Sequence, residues 1–327
     1  MIKFFRQSYV VQYVALALVL VALWVPAFFA GQVPAATTSP VTPLFNWVSG
    51  VLDISPYLML TVAFALMVFE AFFFNSILTD NQIVTKVSSM GAFVFLLFMN
   101  MTLTQTNFYP FALSLVFLLM LVHTCFSIYQ TQNAEFYLLN AGVFLALASM
   151  CYFPAILLIV WVAVALVVSH NSSLRLQFIP VIGFLFVYFI YFAIRFLVGD
   201  LPEIWQGYVA YFKEFSLSVA GFNGKLIALL ALMVVSILLP LFSSKNFSFE
   251  KTISVRMKIT MTVVLLLFGI FMLFLGGNIL MHGLVFLALS ILAAYELSYV
   301  DKTAPANLML YAFVIFVLLN RYVLKIF

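Results

Sequence analysis

The fold of this chain depends on the stretch GVFLALASMCYFPAILLIVWVAVALVV at residues 142–168. The stretch is apolar almost without a break, and Pro154 stands near its middle. With its flanks the run has about 33 residues, whereas one crossing of a bilayer core needs roughly 20. It is therefore too long for one membrane helix and short for two. Whether it is one kinked helix or two short helices decides on which side of the membrane every later loop lies.

The composition is that of a membrane protein. Of the 327 residues, 66% are hydrophobic and 7% are charged, and the mean hydropathy is +1.23, far above that of soluble domains. The net charge of +4 comes from residues scattered over helix ends and loops, so we expect no nucleic-acid partner. The sequence has no P-loop, GxSxG, HExxH or CxxC pattern, and Cys125 and Cys151 lie singly in apolar runs. We therefore expect no cofactor, metal site or disulfide.

Counting apolar windows of membrane-spanning length predicts an all-α bundle of about eleven transmembrane helices. Residues 1–327 then form a single integral membrane domain, and the first apolar run is an uncleaved span. The predicted spans are 10–30, 57–76, 88–104, 109–129, 136–151, 154–169, 177–198, 225–243, 258–275, 279–296 and 305–322.

Lys and Arg in short loops indicate the cytoplasmic side. Lys3 and Arg6 place the N-terminus inside, and the first loop, 31–56, has no basic residue and is predicted to be external. The basic segment 245–258 is predicted to be cytoplasmic, and the long loop 199–224 to be external.

The same charges favour two crossings within residues 137–169. Two crossings keep nine of the fourteen basic residues inside, whereas one crossing keeps eight and moves the basic segment 245–258 outside. In the preferred arrangement the C-terminus is external, so Arg321 and Lys325 lie on the side where basic residues are disfavoured.

Polar residues within apolar spans indicate a specific structural or functional role, because burying them in lipid costs free energy. Glu70 and His123 lie at similar depths in the second and fourth predicted spans and are predicted to form an intramembrane pair. A structural hydrogen bond, a proton relay and no contact at all are the alternatives. For Asn75, Asn100 and Asn140 we expect interhelical hydrogen bonds.

The external face is the predicted functional site. A carboxylate there can act as a general base, and an arginine can bind a phosphate with two hydrogen bonds. The alternative is a set of solvated loop charges, with Arg195 reaching towards lipid head groups. The predicted external polar residues are Asp53, Arg195, Asp200, Glu203, Lys213, Glu214, Asn278 and His282.

Two external segments carry aromatic and apolar stripes that are typical of helices lying on a membrane surface. They are LFNWVSGVL at 44–52 and EIWQGYVAYFKEF at 203–215. Such helices can cover a lipid-facing cavity or simply anchor the loop.

The stretch LLNAGVFLALASMCYFPAILLIVWVAVALVV at 138–168 resembles the middle of the C-type membrane glycosyltransferase superfamily, and YPFALSLVFLLMLVHTCFSIYQTQN at 109–133 is similar in layout to the span before it. The resemblance covers residues 10–200 and implies eleven or more spans, a cytoplasmic N-terminus, and interfacial helices in the first external loop. It implies group transfer from a lipid-phosphate donor at the external face.

In that superfamily a pair of acids in the first external loop is catalytic, and in this chain Asp53 is the one acid there. Asp53 lies at the far end of that loop. If the protein is active, we expect Asp53 to be the base, Arg195 to bind a lipid phosphate, and His282 or Asn278, predicted at the same external face, to assist. Catalysis can also be absent. MIKFFRQ, LTDNQIVTKVSSMGAF and ALASMCYFPAILL also resemble an uncharacterised family of multi-pass inner-membrane proteins from Bacteroidota-type bacteria.

We therefore expect an inner-membrane protein of cell-envelope biogenesis that acts on a lipid-linked substrate. The expected partners are membrane lipids, a polyprenyl-phosphate-linked substrate and a membrane protein. One alternative is a non-catalytic subunit of a larger complex. Another is a transporter or flippase, which predicts a continuous polar path and inverted repeats.

Overall fold

A computed structural model gives the structure of the chain. It describes residues 1–7, 9–30, 39, 41–52, 55–85, 87–101, 108–128, 134–169, 173–214, 252–276, 282–300 and 303–324. The regular secondary structure of these residues consists of helices, which are joined by turns and short connections.

The helices follow the predicted apolar runs closely. In chain order they are α1 Ile2–Phe5, α2 Val10–Ala30, α3 Pro43–Leu52, α4 Pro56–Asp80, α5 Met90–Met99, α6 Pro110–Ser127, α7 Ala134–Cys151, a 3₁₀-helix Phe153–Leu157, α8 Leu158–Val168, α9 Leu174–Val198, α10 Leu201–Glu214, α11 Ile253–Gly276, α12 His282–Tyr299, α13 Thr303–Leu319 and a π-helix Asn320–Leu324.

Seven of the described helices are long and apolar enough to cross a membrane, and three apolar helices are shorter, at Met90–Met99, Phe153–Val168 and Ala306–Tyr322. The prediction of an all-helical protein with several membrane-spanning helices is therefore confirmed. The predicted span 225–243 lies outside the described residues, so the number of eleven stays a prediction.

The fifth helix, Met90–Met99, is shorter than the predicted span 88–104, and Asn100 is its C-cap. The Asn100 side chain donates to the carbonyl of Leu96 at 2.8 Å and accepts from the indole of Trp24 at 2.9 Å. A side chain that bonds to its own helix competes with continuation of that helix. Its second bond reaches α2, as expected for an interhelical amide.

The chain divides into two compact units. Unit 1 comprises Met1–Gln32, Leu60–Asn107 and Val219–Phe327, and unit 2 comprises Val33–Met59 and Phe108–Ser218. The predicted single membrane domain stays a prediction.

The N-terminus of the chain holds one end of unit 1 together. The Arg6 guanidinium donates to the carbonyls of Leu297 at 2.9 Å and Val300 at 2.6 Å, and the Ser89 hydroxyl donates to the carbonyl of Phe5 at 3.2 Å. The last carbonyls of a helix have no intrahelical donor, so Arg6 supplies one at the end of α12. The start of α5 and the end of α12 therefore lie at the same end of unit 1, which we call the basic end.

The start of α11 also lies at the basic end. The Lys258 ammonium donates to the carbonyl of Asn81, just after α4, at 3.2 Å. The amide of Asn75 in α4 donates to the carbonyl of Ser88, just before α5, at 3.0 Å. Arg6 and Lys258, two of the predicted cytoplasmic residues, are thus at one end of unit 1.

A proline in α2 is compensated at the other end of the same unit. Pro26 has no N–H, so the carbonyl of Ala22 lacks its helical donor and the next turn is distorted. The Tyr322 hydroxyl donates to the Ala22 carbonyl at 2.5 Å, and Arg321 Nε donates to the Leu23 carbonyl at 2.9 Å. Neighbouring donors of this kind allow proline within a membrane helix. Arg321 is thus a buried structural residue and does not act as a loop charge.

Two glycines bring α7 and α9 of unit 2 into backbone contact. A Cβ atom on Gly142 would overlap the carbonyl of Pro180, and one on Gly183 would overlap the carbonyl of Leu139. Small residues allow such close approach between apolar helices.

Side-chain pairs show that α7 and α9 are parallel. Near their starts, Glu135 and Arg175 form an ion pair of 2.9 Å, and further along the hydroxyls of Ser149 and Tyr188 share a hydrogen bond of 2.9 Å. Because α9 begins beside the start of α7, the segment Phe153–Val168 has to run back between them. The opening stretch is therefore a helical hairpin.

The two arms of the hairpin have similar lengths, each about 27 Å from the rise per residue of its helices. Tyr152, with extended backbone at φ −139° and ψ 99°, makes the turn, and Pro154 lies in the first turn of the following 3₁₀-helix. Met150 and Cys151 still belong to α7, so the turn is tight and Tyr152 alone separates the two helical arms.

Candidate functional site

The hairpin turn at Tyr152 and Phe153 is the centre of an aromatic cluster in unit 2, which we call the turn end. The ring of Phe111 meets Tyr152 edge-on at 5.8 Å, which places the start of α6 beside the turn. Phe108, just before α6, stacks on Phe45 of α3 at 5.5 Å. The short helix α3 therefore lies close to the turn.

The tenth helix also packs at the turn end. Phe153 contacts the rings of Tyr208, Tyr211 and Phe212 at centroid distances of 5.5, 5.0 and 5.5 Å. On its outer side α10 leaves Trp205 60% and Phe212 62% exposed. The segments predicted as amphipathic helices are thus helical in the part that the structure describes, as α3 over 44–52 and α10 over 203–214. Their position on a membrane surface stays a prediction.

Several hydroxyl groups lie within this cluster. Ser149 and Tyr188 are hydrogen bonded to each other, whereas the buried hydroxyl of Tyr152 has no partner among the described residues. Burial raises the pKa values of Tyr152 and Tyr208 well above that of an ordinary tyrosine because it disfavours the charged phenolate. These phenols therefore stay protonated at neutral pH and can donate hydrogen bonds.

The guanidinium of Arg195 lies at the end of α9, where this helix turns into α10. Gly199 makes the turn with a left-handed backbone at φ 91°, and its N–H bonds to the Arg195 carbonyl. Arg195 Nη1 is 3.4 Å from Asp200 Oδ2, and its guanidinium lies 5.7 Å from the ring centre of Tyr191. A cation at a helix C-terminus is favoured by the helix dipole.

The ion pair of Arg195 is half exposed, with side-chain exposures of 38% and 47%. Exposed pairs of this kind contribute less than about 1 kcal/mol. An anionic group with two acceptor oxygens can therefore compete with Asp200 for the guanidinium. The chemistry available at the turn end is hydrogen-bond donation and anion binding.

The four residues with predicted roles at the external site fall in different parts of the chain. Asp53 and Asn278 lie outside the described residues. His282 is the first residue of α12 in unit 1, where it is buried, and Arg195 belongs to unit 2. Their convergence stays a prediction.

The predicted intramembrane pair is likewise divided between the units. Glu70 is completely buried in α4 of unit 1, and neither carboxyl oxygen has a hydrogen-bond partner among the described residues of that unit. His123 lies half-buried in α6 of unit 2, where its carbonyl accepts from Ser127 at 2.9 Å. The pair stays a prediction.

Comparison with known proteins adds no relative. No family model matches the chain, and neither does a curated protein or a solved structure. The resemblance to the C-type glycosyltransferase superfamily therefore stays a prediction, which rests on the arrangement of apolar helices along the sequence. Among the described residues, no group of three His, Cys, Asp or Glu side chains is placed to hold a metal ion.

The hydroxyl groups of Ser149, Tyr152 and Tyr188 were not among the predicted site residues. Each of these residues is surrounded in the sequence by apolar residues, and a single polar residue in such a run is typical of a helix core. Their shared position depends on the parallel course of α7 and α9, which a single sequence does not display. The aromatic stripe of α10 was the one local signal for this region.

Proposed function

We propose that the chain is a multi-pass protein of the bacterial cytoplasmic membrane that binds a lipid-linked phosphate at the external face. It would have eleven spans, a cytoplasmic N-terminus and an external turn end, in the manner of a C-type glycosyltransferase-like protein of envelope biogenesis. The observation that carries the proposal is the placement of two amphipathic helices, α3 and α10, at the same end of unit 2 as Arg195.

The amphipathic helices support a lipid-facing role for the turn end. In α3, Phe45 is buried whereas Trp47 is 72% exposed, and α10 exposes Trp205 and Phe212 beside its charged residues. Indole and phenyl rings on such helices favour the boundary between head groups and acyl chains. A phosphate at that depth lies within reach of a guanidinium at the end of a membrane span.

The proposed orientation is supported by the charges in both units. Arg6 and Lys258 share the basic end of unit 1, and Arg175 lies at the end of unit 2 opposite the turn. Burial of Arg321 removes one of the two basic residues that opposed an external C-terminus. The positive-inside rule then favours a cytoplasmic basic end and an external turn end.

The proposed roles follow from the chemistry of each group. Arg195 would exchange Asp200 for a lipid phosphate, because guanidinium binds phosphate oxygens with two parallel hydrogen bonds. The phenols of the turn end would donate to the remaining polar atoms of the head group. Asp53 would be the base of a transfer reaction, with His282 or Asn278 assisting.

Binding of a polyprenyl phosphate tests the proposal. We expect the protein in lipid nanodiscs to bind this lipid, and Arg195→Gln to raise the Kd about tenfold, which is a loss of about 1.4 kcal/mol. Native mass spectrometry with increasing lipid gives the Kd. Arg175→Gln is the matched control, since it removes an exposed paired arginine at the opposite end of unit 2.

The control variant should bind like the unchanged protein. Equal affinity of the Arg195 and Arg175 variants would refute the role of Arg195. For the catalytic part, Asp53→Asn should abolish transfer while leaving lipid binding intact.

Labelling of introduced cysteines tests the orientation. In intact cells, a membrane-impermeant maleimide should label Glu203→Cys but should label Ser173→Cys only after the membrane is opened. The native Cys125 and Cys151 are buried, so their background should be low. Labelling of both positions from outside, or the reverse order, would overturn the proposed topology.

A non-catalytic subunit of a larger complex is the second candidate, and the surface of α9 favours it. Only 17% of the apolar window of α9 is buried within the described structure, and Phe189 and Leu197 are 71% and 84% exposed. Lipid or a partner helix can cover this surface. Stable co-purification of a membrane protein that is lost in Phe189→Ala would favour this candidate, whereas unchanged behaviour would favour a lipid-facing α9.

A further inference from the structure

A buried carboxyl group stands in the middle of a membrane helix of unit 1. Glu70 is residue 15 of the 25 residues of α4, so it lies about 21 Å from the first residue and about 15 Å from the last along the helix axis. Its side chain is 0% exposed. Met67 and Phe74, one turn before and after it, are also buried.

Two buried amides of unit 1, those of Asn75 and Asn100, both donate and accept hydrogen bonds. Five residues after Glu70, the Asn75 amide donates to the carbonyl of Ser88 and accepts from the N–H of Ala92. Asn100 likewise donates to its own helix and accepts from α2. Glu70 differs, because neither of its oxygens has a partner in the described part of unit 1.

The helices that contact α4 place no cation opposite Glu70 in the described part of unit 1. Phe95 of α5 stacks on Phe74 at 4.7 Å, and α5 has no ionisable residue. The one titratable residue of α2 is Tyr13. Its ring lies 5.4 Å from the ring of Phe72 in α4, measured between centroids, so α2 and α4 are in contact there.

The remaining charges lie towards the helix ends. Lys258 of α11 donates a hydrogen bond to the carbonyl of Asn81, the residue after α4, which lies about 16 Å from Glu70 along the helix axis. Arg256, near the start of α11, is exposed. The twelfth helix packs on α5 and α11. Its titratable residues are at its two ends and are His282, Tyr295, Glu296 and Tyr299.

Free volume lies beside the same part of α4. A cavity of about 220 Å³ is bounded by side chains of α2, α4 and α5 and is apolar throughout. Val68 and Ala71, which flank Glu70 in the sequence, line it. A dense core resists helix movement, whereas a void of this size gives α4 room to shift or rotate.

We propose that Glu70 is a proton-binding site inside the membrane. A carboxylate buried without a partner costs many kcal/mol, whereas the neutral acid is tolerated in an apolar surrounding. In the described arrangement the carboxyl therefore holds a proton. A shift or rotation of α4, for which the cavity gives room, would have to bring the group to water. There the O–H bond breaks, the proton passes to water, and the carboxylate remains until it is protonated again. The activity implied is a proton-dependent conformational change.

Infrared spectroscopy of the full chain in nanodiscs tests the site. We expect a carbonyl stretch of a protonated carboxylic acid in the unchanged protein, and its loss in Glu70→Gln, which keeps the size of the side chain. Glu135→Gln, at an exposed position, should keep the band. A band that Glu70→Gln leaves intact, or no such band in the unchanged protein, would overturn the proposal.

A second measurement needs no variant. Dicyclohexylcarbodiimide, which is lipid-soluble, reacts with protonated carboxyl groups and should modify Glu70 in membranes, as read by mass spectrometry of the peptide. A water-soluble carbodiimide should modify the exposed Glu203 instead. Absence of the Glu70 adduct across the pH range would contradict the proposal even if Glu70→Gln failed to fold.

Discussion

Replacing Gly142 or Gly183 by alanine should destabilise unit 2 more than any other single methyl group added to its helices. In each case the new Cβ would overlap a backbone carbonyl of the facing helix, which cannot rotate away as a side chain can. Forcing extra atoms into a packed contact costs typically 1–3 kcal/mol, and we expect the upper part of that range, about 3 kcal/mol. Equilibrium unfolding in mixed micelles measures the change.

The matched control is Gly50→Ala in α3. A Cβ at this position meets nothing within 4 Å, and alanine is the better helix former by up to about 1 kcal/mol. The control should therefore be neutral or slightly stabilising. If Gly142→Ala and Gly183→Ala unfolded at the same detergent fraction as Gly50→Ala, the backbone contact between α7 and α9 would be refuted. The double variant should cost less than the sum, since both glycines serve one helix crossing.

Asn75→Leu should produce the second large effect, in unit 1. The substitution keeps a similar volume but removes an amide that bonds to the Ser88 carbonyl at 3.0 Å and the Ala92 N–H at 3.2 Å. The Ala92 N–H lies in the first turn of α5, where helix N–H groups lack internal acceptors. Leaving buried backbone groups unpaired costs about 1–3 kcal/mol each, so we expect a loss of at least about 2 kcal/mol in the free energy of unfolding.

Asn140→Leu is the control for the chemical change. Asn140 lies half-buried in α7, and its side-chain amide forms no hydrogen bond among the described residues, so the predicted interhelical bond is absent there. Its replacement should change stability by less than about 1 kcal/mol. A loss at Asn75 no larger than that at Asn140 would mean that the two bonds contribute little to the contact between α4 and α5.

Local patterns in the sequence predicted the local structure well. The aromatic stripe around Trp205 predicted α10, and the stripe around Trp47 predicted α3. The length of the run around Pro154 and the balance of basic residues favoured a hairpin, and the structure has one. These signals are carried by neighbouring residues or by charge on successive loops, which a single chain displays directly.

Contacts between residues that are distant in the sequence could not be predicted from such local patterns. Arg321 was counted as a loop charge against an external C-terminus, whereas it is buried on a carbonyl of α2, 298 residues earlier in the chain. The bond between Ser149 and Tyr188 depends on the parallel packing of α7 and α9. For the candidate site, Arg195 was predicted, and the surrounding hydroxyl groups were not. Whether Asp53 and Asn278 complete that site stays a prediction.

The proline of α2 also has a consequence for the order of assembly. The carbonyls of Ala22 and Leu23 enter the membrane with the first long helix, but their donors, Tyr322 and Arg321, are 300 and 298 residues further along the chain. At a synthesis rate of about 5–20 residues per second, those donors arrive roughly 15–60 s later. In the interval, these two carbonyls must accept hydrogen bonds from water, lipid head groups or the insertion machinery. Closure of unit 1 around α2 is therefore a late event that follows synthesis of the segment carrying Arg321 and Tyr322.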